Sequence, residues 1–237
     1  MRIHQRLTEF VVAGEDLVLG SACAGCGEVA GLLCNGCRDE LVGPSAPVYD
    51  LPGSADLRVA GAAAYAGVAG SVIVDHKEHG RLALSRPLGD ALAVAVTALS
   101  AADGGCPHCG RRPAALVPIP SRRSTVRGRG HDPVLRIARR AASTLRRAGD
   151  SATVVPALRH VRTVDDQAHL GRVARAANLR GSMTVRRSAT RLLRARCPVL
   201  VDDVVTSGAT LREAARALSE TGLRPCGAAV VAVAGTP

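Results

Sequence analysis

The chain reads as an α/β protein with a parallel sheet flanked by helices. Its core has to be aliphatic, because Phe10, Tyr49 and Tyr65 are the whole aromatic set in 237 residues. Ala, Val, Leu and Ile are the residues that fill parallel strands covered on both faces. Short apolar runs at 116–119, 199–201 and 228–233 have the length of buried strands, and helical patterns lie between them. Strand–helix alternation of this kind points to a parallel sheet. The length leaves room for one sizeable domain plus a small accessory module. Composition divides residues 1–45 from residues 46–237.

Residues 1–45 hold an apolar-periodic stretch (Leu7, Phe10, Val11, Leu17, Leu19) followed by four closely spaced cysteines. Strand candidates come next at 58–65 and 71–74. A helix is expected over 87–99, with Pro87 in its first turn. After the strand at 116–119, Pro133 to Arg147 forms an amphipathic pattern with Val134, Ile137, Ala138, Ala141 and Leu145 on one face. The final helix is expected over 211–221 and ends at Gly222. There is no internal repeat.

The net charge is +11, and Lys77 is the only lysine. Two sources account for so much Arg: a codon preference, and an affinity for phosphates through bidentate contacts. Both can hold. No stretch reaches the length of a membrane span, and Glu15 and Asp16 interrupt the one leader-like region. A cytoplasmic protein is expected, with its eight cysteines as metal ligands or buried thiols.

Cys23-x-x-Cys26 and Cys34-x-x-Cys37 are two knuckles that together complete a tetrahedral zinc site. Gly25, Gly27 and Gly36 lie beside the ligands, where knuckle turns need backbone freedom. A redox role needs only one pair, so a closed, structural zinc is the stronger reading. Cys106 and Cys109 precede the strand at 116, Cys197 precedes the strand at 199, and Cys226 precedes the strand at 228. Parallel strands start on one edge, so these four form a candidate second metal site, set against separately buried or free thiols.

From 199 to 210 an apolar strand runs into Asp202 and Asp203. A turn of small residues and the start of a helix follow: Val204, Val205, Thr206, Ser207, Gly208, Ala209 and Thr210. Ligands of open α/β sheets bind at the carboxyl ends of strands. Thr206 to Thr210 would offer backbone N–H groups and hydroxyls to a phosphate at a helix N-terminus. Adjacent carboxylates suit a sugar diol, whose hydroxyls donate to them. No GxxxxGK[ST] motif is present, which excludes an ordinary nucleotide-triphosphate loop.

This segment resembles the phosphoribosyl pyrophosphate (PRPP) motif of type I phosphoribosyltransferases, in which two acids bind the ribose 2′ and 3′ hydroxyls and the loop holds the 5-phosphate. Val117-Pro118-Ile119-Pro120, Arg122, Arg123, Arg127 and Arg129-Gly130-His131-Asp132 resemble the corresponding region of the ComF/GntX family. Gln167, Leu170, Arg172, Arg175 and Asn178 match a further stretch of that family, Lys77 and Gly80 another, and the tetracysteine cluster its N-terminal zinc module. The resemblance departs at His131 and Asp132, which stand where an aromatic and Asn are usual. The family's further cysteine pair is absent from 38–60, and a pair appears at Cys106 and Cys109 instead.

The resemblance implies a type I phosphoribosyltransferase-like sheet with Pro120, Ser121 and Arg122 in a pyrophosphate loop. It makes Arg127, Arg129 and Lys77 the candidates for catalysis, with Mg²⁺ accompanying PRPP and zinc in the N-terminal module. The activity implied is transfer of ribose 5-phosphate to a nitrogen acceptor. The other readings are a non-catalytic accessory of competence, assisting DNA uptake with single-stranded DNA and competence proteins as partners, and a PRPP-sensing regulator. The near absence of aromatics argues against strand binding through stacked bases.

Overall fold

The structure, a computed structural model, describes residues 22–43, 46–54, 56–102, 112–121, 130–161 and 179–235. Among them, eight strands and six α-helices follow one another. These are α1 (Asn35–Leu41), β1 (Val48–Asp50), β2 (Arg58–Ala64), α2 (Gly67–Glu78), α3 (Ser85–Ala101), β3 (Ala114–Pro118) and α4 (Pro133–Arg147). The chain continues with β4 (Ala152–Val154), β5 (Leu158–His160), β6 (Met183–Val185), α5 (Arg187–Arg194), β7 (Cys197–Val205), α6 (Ala209–Ser219) and β8 (Gly227–Val233).

Six strands form one sheet in the order β1-β2-β8-β7-β3-β4. Only β1 runs antiparallel, as an edge strand beside β2; the other pairings are parallel. Side chains alternate across the sheet, as a strand's period of two demands. Val199 and Val201 join a core with α2, α3 and α4, whereas Leu200 faces the second core with α6. Burial on both faces explains why these strands read as continuous apolar runs. β5 and β6 form a separate antiparallel ribbon.

Helix α4 spans the expected residues. Asp132 caps it, accepting from Leu135 N at 3.1 Å, and Pro133 follows in its first turn. Two expectations need correction. The strand expected at 71–74 is part of α2, where Val68, Val72, Ile73 and His76 are buried at helical spacing. The run of Val and Ile mimicked a strand, yet its burial follows period 3.6. The second correction concerns membrane-span length. Leu82–Ala101 is long and apolar enough to cross a membrane by length and composition, with a hydropathy of 1.4. In this fold it is the central core helix, packing Leu88, Ala91, Leu92, Ala95, Val96 and Leu99. The N-terminal apolar stretch (Leu7 to Leu19) lies outside the described residues.

Candidate functional site

β3 and β7 are neighbours whose connections leave in opposite directions. After β3 the chain passes through α4 on one face to β4; after β7 it passes through α6 on the other face to β8. A crevice therefore opens at the carboxyl ends of β3 and β7, the position where open α/β sheets bind ligands. Pro118 pairs with Val201, and Ile119 N donates to Val201 O at 2.9 Å, so the two strands end side by side.

Asp202 and Asp203 sit at this edge, but inside β7, which continues to Val205. The Val205 side chain is core, and its carbonyl accepts from Ala234 N at 2.8 Å. Val204 and Val205 can therefore face a ligand only through the backbone that leads into the turn. Asp203 is 3% exposed, and its Oδ2 lies 2.7 Å from Lys77 Nζ of α2. No aligned hydrogen bond satisfies that oxygen, so charge holds the pair. Asp202 is half-buried and accepts from Asp203 N at 2.9 Å. Burial, with the charge of Asp203, pushes its carboxyl well above the usual range, against the pull of Lys77.

The turn after β7 is tightly specified. Gly208 has φ +69°, and a Cβ there would meet Leu51 Cδ1 at 2.5 Å. Only Gly satisfies both the left-handed backbone and the contact with Leu51. Arg212, one turn into α6, donates to Ser207 O at 2.9 Å and to Pro52 O at 2.8 Å. It clamps the turn onto the segment after β1. The sequence pattern did not single out Arg212, because its partners are distant along the chain.

Across the crevice, Ser121 donates to Asp132 Oδ1 at 3.2 Å. That bond draws together the two ends of the segment after β3, whose middle, with Arg122, Arg123, Arg127 and Arg129, lies outside the described residues. The His131 ring lies 5.9 Å from that of His76, the fully buried neighbour of Lys77. Burial lowers the pKa of His76, so it packs as a neutral ring. The β5–β6 ribbon reaches the same edge. His160 Nε2 lies 2.9 Å from Pro120 O, and the carbonyl can only accept, so that nitrogen carries the proton. Glu213 of α6 anchors the ribbon, accepting from Gly181 N at 3.1 Å and Met183 N at 2.9 Å, with Arg216 bridging back to it at 2.7 Å. Gln167, Leu170, Arg172, Arg175 and Asn178 lie outside the described residues.

The four cysteine sulfurs of the first cluster lie within 4.8 Å of one another. Cys26 Sγ and Cys34 Sγ are 3.8 Å apart. Zn–S bonds of about 2.3 Å in a tetrahedron put sulfurs roughly 3.8 Å apart, so the cluster fits zinc. Burial raises the Cys23 thiol, but backbone hydrogen bonds, Cys34 N foremost, outweigh it and bring it down to about 6. A thiol so poised gives up its proton to a metal readily. The module packs on α2: a Cβ at Gly25 would meet Cys37 Sγ at 2.6 Å and Val68 Cγ1 at 3.1 Å.

The second cysteine group is different. β7 and β8 do start side by side, but there Cys197 and Cys226 are joined as a disulfide, not held as thiolate ligands or separate thiols. A disulfide sulfur lacks the thiolate charge that binds zinc. Cys226 N donates to Pro198 O at 2.8 Å, and this pairing brings the two Cα atoms to 6.4 Å, within disulfide range. Cys106 and Cys109 lie outside the described residues.

Residues 134–236 match the family model of the phosphoribosyl transferase domain. The match runs from α4 through β8 and includes the acidic pair and the turn after it. No curated protein matches the chain.

Proposed function

We propose that the chain binds PRPP and transfers its ribose 5-phosphate to a nitrogen acceptor, releasing pyrophosphate, as a member of the ComF-type phosphoribosyltransferases. One observation carries this reading. Asp202 and Asp203 lie in the last part of β7 at the strand crossover, and the strand runs on through Val205 into a Gly208-dependent turn at a helix start, all inside the matched segment.

Each residue has a task in that reaction. Asp202 and Asp203 accept hydrogen bonds from the ribose diol. Backbone N–H groups and hydroxyls of Thr206 to Thr210 hold the 5-phosphate. Lys77 pairs with Asp203 and orients its carboxylate. By the family resemblance, Pro120, Ser121 and Arg122, with Arg127 and Arg129, would meet the diphosphate. As the C1–O bond breaks, pyrophosphate leaves with the electron pair, and the acceptor's nitrogen lone pair forms the C1–N bond. The nitrogen's proton passes to solvent. Guanidiniums beside the diphosphate stabilise the charge it gathers. Mg²⁺, carried with PRPP, would neutralise diphosphate oxygens, and Asp202 and Asp132 are the nearby carboxylates suited to it.

The test is isothermal calorimetry with PRPP and Mg²⁺, followed by pyrophosphate release in the presence of nucleobases or amines. Binding with turnover supports transfer. Binding without turnover against any acceptor selects a PRPP sensor. No binding at millimolar PRPP overturns the proposal.

A further inference from the structure

The arginines are not evenly spread. On α4, Arg140, Ser143, Thr144 and Arg147 follow at i, i+3, i+4 and i+7 and make one stripe beside the buried face. On α3, Arg86 and Asp90 stand one turn apart, and α1 adds Arg38. These residues line a groove of ≈ 500 Å³, within the range of small-ligand sites.

The groove has a fixed geometry. A Cβ at Gly89 would meet Arg140 Cβ at 2.4 Å and Ala141 N at 3.0 Å, so α3 and α4 cross with their backbones in close approach. That crossing sets Arg86 and Asp90 against Arg140 and Thr144. Among the described residues Asp90 is the groove's only carboxylate, and it is held by a hydroxyl: Thr144 Oγ1 donates to Asp90 Oδ1 at 2.7 Å. Arg147 Nη2 in turn donates to Thr144 Oγ1 at 2.9 Å. Among the described residues, the side chains of Arg38, Arg86 and Arg140 have neither an ion pair nor a hydrogen bond. Four guanidiniums thus face one space with a single acid among them, and this favours an anion that carries several charges.

We infer that this groove between α1, α3 and α4 binds a polyphosphate, a chain of linked phosphates either inorganic or carried on a nucleoside. A lone phosphate can engage only one or two guanidinium forks, whereas a phosphate chain reaches forks on all three helices. Among the described residues no aromatic ring lines the groove, so recognition rests on phosphates and not on stacked bases. Arg140 and Arg147 lie eight and fifteen residues beyond Asp132. At 1.5 Å per residue that is about 12 and 22 Å along α4, so the groove is separate from the acidic pair.

The experiment is calorimetry of the full chain with inorganic tripolyphosphate, ATP and inorganic phosphate at low salt. It uses the wild type, Arg86→Ala/Arg140→Ala and Asp202→Asn/Asp203→Asn. Tripolyphosphate is expected to bind at least tenfold more tightly than phosphate and to weaken as salt rises. The arginine double variant, changed only at exposed side chains, should lose at least tenfold. The aspartate double variant should keep wild-type affinity. ATP tighter than tripolyphosphate identifies a nucleotide as the natural source, and equal affinity identifies the inorganic chain. Unchanged affinity in a folded Arg86→Ala/Arg140→Ala protein overturns the site, and so does binding lost in Asp202→Asn/Asp203→Asn. Phosphate binding as tightly as tripolyphosphate, or a ten-residue oligothymidine binding more tightly than either, overturns the ligand class. Failure of PRPP to bind elsewhere leaves all of these readings intact.

Discussion

Lys77 Nζ stands 2.7 Å from Asp203 Oδ2 and joins the chain's one lysine to a carboxylate that is 3% exposed. An ammonium is a compact point charge and can meet a single oxygen end-on where a planar guanidinium fork would need more space. This gives a local reason for Lys in a chain that otherwise uses Arg.

Lys77→Met should leave Asp203 buried without its counter-charge. Breaking a fully buried pair costs about 3–5 kcal/mol. Lys77 is 28% exposed, so water screens part of the pair, and a loss of about 2 kcal/mol is expected. Adding Asp203→Asn to Lys77→Met should recover most of it in urea melts. If the double variant is as unstable as Lys77→Met, the pair does not set stability.

Asp202 sets a pH dependence. Its folded pKa lies above the unfolded value, because burial and Asp203 oppose its ionisation. The folded state therefore holds a proton that the unfolded chain has released, and stability falls as pH rises from about 4 through the folded pKa. Asp202→Asn should melt like wild type near pH 4 and be more stable at pH 8 by roughly 1–2 kcal/mol, the scale of one like-charge repulsion. Identical pH profiles for the two proteins would contradict this. PRPP affinity should fall at least tenfold in the same variant, since a charge-assisted hydrogen bond is worth about 1.5–3 kcal/mol.

Much of this arrangement is legible in the sequence, and the exceptions share a cause. Helix α4 announces itself through Asp132, Pro133 and an apolar stripe of period 3.6, and β7 and β8 through unbroken apolar runs. The strands β1, β4, β5 and β6 have three residues each, too few for any period to show. Asp202 and Asp203 are readable because strand, acids and turn are contiguous. His76 against His131, His160 on Pro120, Glu213 under the β5–β6 ribbon and Arg212 on Pro52 join residues 30 to 160 positions apart. No local pattern encodes such contacts. The Cys197–Cys226 disulfide is of this kind too: strand starts on one edge suggest proximity, but pairing depends on β8 lying directly beside β7.

Zinc is expected at one atom per chain, with Cys197 and Cys226 joined to each other. Cys26→Ser should lose that metal. Gly25 and Cys37 pack against Val68 and Leu41 shares the core, so the loss should also loosen α2. Limited proteolysis should then cut near Gly67 to Glu78, while the α6–β8 region stays protected. Full zinc content in Cys26→Ser, measured by plasma mass spectrometry, would refute the assignment.

Gly208 offers the sharpest test of the turn. Alanine there must adopt φ near +69° and place Cβ against Leu51. The left-handed backbone alone costs about 1–2 kcal/mol. The contact with Leu51 Cδ1 at 2.5 Å adds more, because Leu51 is itself buried and has little room to retreat. Gly208→Ala should therefore lose about 2–3 kcal/mol of stability. The two contributions are separable. In a Leu51→Ala background the contact is gone and only the backbone strain remains, so Gly208→Ala should cost less there than in the wild type. PRPP affinity should behave differently: the Leu51→Ala background restores space but not the turn's natural φ, so binding should remain weak in the double variant. A double-mutant cycle read by both urea melts and calorimetry checks this. A cycle in which stability and affinity recover together would mean that the contact with Leu51, and not the left-handed backbone of Gly208, shapes the turn.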